Sequence, residues 1–330
     1  MSNCTSSNFP EFLQSETFFQ YTLHIFSSLV IPIHVFGAYC ILFKTPSQMS
    51  DMKWAMLNVH FWSVGMDWTV GFLLVPFLQL PALAGDGLGL LSFLKVDLRD
   101  QTYFGMSFLA GVIVSVLCLF ETRFFYLYAE NSRWKYLRRP WLAANYLLAF
   151  SYMIPSYLMI PEQSSAKLAV HSYIPCLPDF LFEDRFLVVA VRRLYVAINV
   201  GVVVIPIPAE AFSFVLLIYW NMRKMKKLAR LSEKTLKLQR KFLQSLILQC
   251  TLPVLTGLAP IFYYEFAIVA RYYNQGFNNV AMIIISMHGA VSSVATILLH
   301  KPYREVLLKF LRVQRNKVKE ITAKVSATVN

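Results

Sequence analysis

The chain has 330 residues, 57% of them hydrophobic and 15% charged, with mean hydropathy +0.51 and a formal charge of +13. A soluble domain carries about a quarter charged residues, so this composition argues against a soluble enzyme. The positive charge alone is ambiguous between a nucleic-acid footprint and a membrane protein, and its placement along the chain decides.

No Lys, Arg, Asp or Glu lies between Glu16 and Lys44, from Gln101 to Phe120, from Pro140 to Pro161, or from Tyr272 to His300. Three further stretches carry one acid each: Trp54 to Gly85 (Asp67), Leu194 to Met222 (Glu210) and Phe242 to Ala270 (Glu265). Each is long enough for a helix of about 20 residues to cross a hydrocarbon core. Backbone in lipid must satisfy its own hydrogen bonds, so these stretches predict helices. The fold class expected is an all-α integral membrane protein, a seven-transmembrane helix bundle. Its spans are placed at about 18–43, 54–79, 103–127, 140–160, 195–220, 243–268 and 279–299, behind an outer tail of residues 1–17.

The segments between the spans set an expected orientation. Those assigned to the inside hold 24 Lys and Arg against 6 acids, and those outside hold 7 against 9. Basic residues gather on the cytoplasmic side of membrane proteins, so the N-terminus is expected outside and the C-terminus inside, with no nucleic acid as partner. The first residues lack a basic region, and no cleaved signal peptide is expected. The third inner loop is the most basic, with Arg223, Lys224, Lys226 and Lys227 at its start and Glu233 as its one acid. After Pro302, within an expected cytoplasmic unit at 300–330, Tyr303, Val306, Leu307, Phe310 and Leu311 recur at helical spacing opposite Arg304, Lys309, Arg312 and Arg315. That pattern predicts a short amphipathic helix lying on the inner leaflet.

Several stretches then carry a resemblance: IPIHVFGAYCILFKTP (31–46), MLNVHFWS (56–63), LPALAGDGLGLL (80–91), IPCLP (174–178), SEKTLKLQRKFLQSLILQ (232–249) and MHGAVSSVATILLHKPYRE (287–305). Together they resemble the nematode serpentine chemoreceptors of class H, the Srh family, from the first span into the tail. The resemblance implies a G-protein-coupled chemosensory receptor in the plasma membrane of sensory-neuron cilia. Its implied partners are an environmental small molecule, a heterotrimeric G protein and the lipid bilayer, with no cofactor and no enzymatic activity. The chain departs from rhodopsin-like receptors: its third span ends in Glu121-Thr122-Arg123, and no Asn-Pro-x-x-Tyr closes the last span.

Within that frame, Arg123 is either a switch facing the G protein or an arginine snorkelling to the headgroups. Glu121 is a poor lock for it, because residues two apart do not share a helix face, and Glu233 is an alternative partner. Asp67, with His60 seven residues earlier on a similar face, is a polar core site that changes state on activation or a carboxylate bonded to neighbouring helices. Glu210, after Pro206 and Pro208, and His288 are further buried polar candidates. Candidate ligand-facing residues are Tyr103, Phe104, Ser107, Phe108, Tyr264, Glu265, Met282 and Ser286, although aromatics near span ends usually form the interfacial belt. Cys40, Cys118 and Cys250 fall in spans. Cys4 and Cys176 lie on outer segments and predict a disulfide, against the alternative of a free Cys4 beside the glycosylation sequon at Asn3.

Two other classes compete with a receptor. A seven-span odorant-gated channel would place the N-terminus inside. An intramembrane metal hydrolase would need clustered ligands, and the span histidines His24, His34, His60 and His288 form no close pair on one helix.

Overall fold

The computed structural model describes residues 10–174, 183–227, 232–313 and 315. A short helix α1 (Glu11–Gln14) leads into α2 (Glu16–Lys44), capped by Ser15, whose hydroxyl accepts the Phe18 N–H at 3.2 Å. A 3-10 turn, Ser47–Met52, delivers α3 (Lys53–Trp68), which loosens into a π-helical stretch at Thr69–Leu74. The second span was expected to run to residue 79, yet helix stops at Leu74. Pro76 disfavours helical backbone at the residue before it, and Val75 takes a left-handed conformation (φ 45°).

The chain instead forms strands β1 (Pro76–Leu78) and β2 (Ala84–Gly87), then α4 (Leu90–Phe93). The third span is α5 (Leu98–Phe124), capped by Asp97 and extended by a second π stretch, Phe125–Ala129. The fourth is α6 (Trp134–Ser151) with α7 (Ile154–Leu158). The chain then turns by 86° into α8 (Gln163–Tyr173), which runs across the end of the bundle. Glu162 caps α8, and hydrogen bonds from Ser164 and Ser165 hold its carboxyl down at about 2. Strand β3 (Leu187–Val188) follows.

The fifth span comes in two pieces, α9 (Arg193–Val204) and α10 (Pro206–Lys227), because Pro206 cannot continue the helix through Ile205. The sixth, α11 (Glu233–Ala270), is capped by Ser232. The seventh is also divided, into α12 (Gln275–Ser286) and α13 (His288–Leu299), meeting at Met287. A tail helix, α14 (301–313), closes the described chain. Its Tyr303 is fully buried with its hydroxyl 2.7 Å from Thr45 Oγ1, and Phe310 packs on Phe36 at 6.2 Å. Leu308 and Leu311 of α14 are exposed, as are its cations Lys309 and Arg312.

By length and composition five of these helices can cross a membrane, or six if the bent α6–α8 unit counts as one. The α3 unit is shortened by its early stop. One apolar core lies among α2, α3, α5, α6, α10 and α11, with Met56, Leu117, Ile218 and Leu246 at or near zero exposure. Cys40 is buried in it, and Cys118 and Cys250 also fall within helices as free thiols.

A second core fills the end where the chain begins, around Phe19, Phe77, Phe186 and Val188. There the strands form one antiparallel sheet in the order β1-β2-β3, with Phe77 opposite Asp86 and Ala84 opposite Val188. Arg185 fastens this sheet. Its guanidinium donates to Glu16 at 2.7 and 2.8 Å, to Glu183 at 2.7 Å and to Asp86 at 3.1 Å. The hydrogen bonds that the Glu16 carboxylate accepts from it above all raise the Arg185 pKa and keep it charged, while burial raises that of Asp86.

Candidate functional site

The break in the last span creates the central polar site. Where α13 begins, its first backbone N–H groups have no partner one turn back, and the helix dipole makes that end positive. Asp67 of α3, 2% exposed, supplies the missing acceptor from another helix. Its two carboxylate oxygens take the N–H of Gly289 at 2.6 Å and of Ala290 at 2.7 Å. His34 of α2 stands beside it, with Nε2 3.4 Å from Asp67 Oδ2 and Nδ1 3.0 Å from Ser293 Oγ. His60 Nε2 lies 3.1 Å from the His34 carbonyl. Gly289 is required here: a Cβ on it would stand 2.3 Å from the Ser63 carbonyl oxygen and 2.7 Å from the Asp67 carboxylate.

Of the four buried polar candidates, Asp67 and His60 thus belong to one region tying α2, α3 and α13. His288, the first residue of α13, is half-buried, and its Nδ1 has no hydrogen-bond partner among the described residues. Glu210 lies elsewhere. It is half-buried below the Ile205 break, and Asn145 Nδ2 donates to it at 3.5 Å. His34, Ser293 and the backbone of Gly289 were missed as site members. The small polar run His288-Gly289-Ala290-Val291-Ser292-Ser293 was the available signal. Among the described residues no group of three His, Cys, Asp or Glu is placed to hold a metal ion.

At the opposite end of α5, Glu121 is fully buried, and its partner is neither Arg123 nor a residue of the third loop. Arg138 of α6 grips it with two hydrogen bonds, 3.0 and 2.8 Å, and the Trp134 indole N–H donates at 2.8 Å. The Arg138 guanidinium also lies 4.0 Å over the Phe125 ring.

Arg123 turns the other way. Its guanidinium stacks 4.6 Å above Phe242 of α11, and its Nε has no hydrogen-bond partner among the described residues. Phe242 in turn meets His300 at 5.5 Å, and His300 lies 2.9 Å from Gln249 Oε1. Nor is Glu233 brought to Arg123. It lines a cleft of about 690 Å³ between the ends of α10 and α11, together with Met222, Arg223, Lys226, Lys237 and Arg240. Lys224 and Lys227 are exposed on α10 beside it.

The eight ligand-facing candidates separate. Phe108 packs on Phe104 at 4.9 Å and on Trp62 at 5.3 Å, and shares one apolar cluster with Tyr264 and Met282. The Tyr103 hydroxyl donates to the Phe150 carbonyl, the Tyr264 hydroxyl to Asn278 O at 3.2 Å and the Ser286 hydroxyl to Ile283 O at 2.7 Å. Ser107 is buried. Glu265 is exposed, so it does not face the bundle interior. None of the eight lines either of the two larger cavities beside the sheet. Cys4, Cys176 and Asn3 lie outside the described residues.

A divided seven-helix bundle with a lidded mouth and a basic cleft at its other end is the architecture of a serpentine membrane receptor. The chain belongs to the Srh family, matching the model of the serpentine type 7TM GPCR chemoreceptor Srh over residues 14–313. Among curated proteins it is similar to serpentine receptor class H-72 of Caenorhabditis elegans, 27% identical over 301 residues, which cover 89% of this chain and 86% of that protein. Among solved structures it is similar in fold to squid rhodopsin, with TM-score 0.58 and 13% identity over 93% of this chain and 87% of that one. The family is one of receptors rather than enzymes, and the chain is a multi-pass membrane protein.

Proposed function

We propose that this protein is a chemosensory receptor that takes an environmental small molecule at the end where the chain begins and activates a heterotrimeric G protein at the other. The supporting observation is Arg123 held over Phe242, at the same end as the cationic cleft between α10 and α11. A buried cation–π contact is worth roughly 2 kcal/mol. Here it joins the third span to the sixth without a carboxylate, because Glu121 is committed to Arg138. Swinging α11 outward breaks the contact, frees Arg123 and widens the cleft. Arg223, Lys224, Lys226 and Lys227 then present positive charge to the partner and to anionic lipid.

The test is a ligand screen with a second-messenger readout in cells expressing the receptor. Phe242→Leu removes the ring and is expected to raise agonist-free signalling, by up to about tenfold. Arg123→Ala is expected to abolish the agonist response at unchanged surface level. Neutralising the four α10 cations together should cut signalling more than surface expression. Silence in every cell line with normal surface expression would sink the receptor reading.

The proposed orientation, in the plasma membrane and by family resemblance in sensory cilia, rests on the charge distribution. A tag placed before Glu11 should be labelled on intact cells, and one placed after Lys324 only after permeabilisation. The reverse pattern would sink the receptor reading, because an N-terminus inside is the arrangement of the competing odorant-gated channel.

A further inference from the structure

Beneath the sheet, a cavity of about 230 Å³ opens between the strands and the near ends of the third, fourth and fifth spans. Leu78 and Ala84 of the hairpin, Leu187 of β3, Met106 of α5, Met153 at the end of α6 and Val196 of α9 form its walls. It takes no part in the Asp67 site or the Arg123 end. Three polar side chains reach it, and each is already engaged. Asp86 accepts the Gly87 N–H at 2.7 Å and Arg185 at 3.1 Å. Gln101 donates to Ser92 Oγ and Val96 O, both at 2.9 Å. Thr102 donates to Leu98 O at 2.8 Å. Its hydroxyl keeps a lone pair with which to accept one hydrogen bond.

We infer that this cavity is the site of a small, uncharged and mainly hydrocarbon molecule carrying at most one hydroxyl group. The inference rests on the chemoreceptor reading and names the class of molecule it would take. An ion is excluded by its desolvation cost, since no side chain on the wall is left to pair with it. A dry cavity of about 150 Å³ holds benzene, so this one has room for about nine non-hydrogen atoms on the same scale. Its roof is held by Arg185, only two residues before Leu187. Its far wall includes α9, the upper piece of the divided fifth span whose other piece lines the basic cleft. An occupant therefore presses on the half of that span most able to move about Ile205.

The experiment uses the purified full chain in detergent micelles and in phosphatidylcholine nanodiscs, with thermal unfolding as readout. Octan-1-ol is titrated beside octanoate and octylammonium. Octanol is expected to raise the midpoint saturably, and the two ions are not. Met106→Trp fills the space and should weaken octanol by about tenfold or more. Met153→Ala enlarges it and should shift preference toward decan-1-ol, which guards against a Met106 variant that merely misfolds. Octanol tenfold weaker in nanodiscs than in micelles would identify a lipid acyl chain as the resident apolar group; equal affinity would identify a free solute. Equal responses to all three probes, or octanol binding unmoved by both variants, would overturn the inference. Binding here needs no G protein. Absent octanol binding with an intact agonist response would therefore remove this site alone, and binding without any signal would remove the receptor reading alone.

Discussion

Glu121→Ala is expected to leave little folded protein. The substitution strands the Arg138 guanidinium and the Trp134 indole N–H beside a site with zero exposure. Removing one partner of a buried ion pair costs about 3–5 kcal/mol, a large part of a total stability of about 5–15 kcal/mol. Arg138→Lys keeps the charge but loses the two-pronged grip, so it should fall between wild type and Glu121→Ala. The double change Glu121→Leu with Arg138→Met removes both charges and is expected to recover most of the loss. Thermal midpoints and yields of the purified variants decide. A Glu121→Ala protein that melts like wild type would show that the pair contributes nothing to the fold.

Asp67→Ala carries the second large effect. The backbone N–H groups of Gly289 and Ala290 lose their acceptor together, inside a bundle where water is scarce. Each buried donor left unsatisfied costs about 1–3 kcal/mol, so the two together cost about 2–6. Asp67→Asn retains one carbonyl oxygen and is expected to lose roughly half as much. Gly289→Ala should act in the same direction through sterics, because its methyl group would press on the Ser63 carbonyl. Surface expression and thermal midpoint in detergent are the measurements. An Asp67→Ala receptor with wild-type values for both would mean that α13 does not need its foreign cap.

The helical plan was readable because charge is forbidden over long runs in lipid, and absence of charge is a local property. The run from Tyr272 to His300 announces a span without any knowledge of its neighbours. The partners of the polar residues were not readable. Arg138 is 17 positions from Glu121, across a turn, and nothing local distinguishes it from Arg133, Lys135 and Arg139 around it. The sheet is not legible because its strands are two to four residues long, β2 is half glycine, and the pairing completes only when β2 meets β3 about a hundred positions later. The early stop of the second span is the part most nearly legible, since Pro76 stood in the sequence. Apolar residues continue on both sides of it, and hydropathy alone carried the predicted span through.

The cap on α13 also has a temporal side. Asp67 and Gly289 are 222 positions apart, and chains are made and inserted from the N-terminus onward. The carboxylate is therefore in the membrane, beside His34, long before the segment it will satisfy has left the ribosome. The last span reaches lipid with two exposed donors at its middle, and only docking against the first two spans can quiet them. Assembly of the bundle thus closes with its final segment finding its earliest ones. A receptor split between the fifth and sixth spans could still complete this step from two pieces, whereas a fragment lacking the first two spans would hold a seventh helix that never settles.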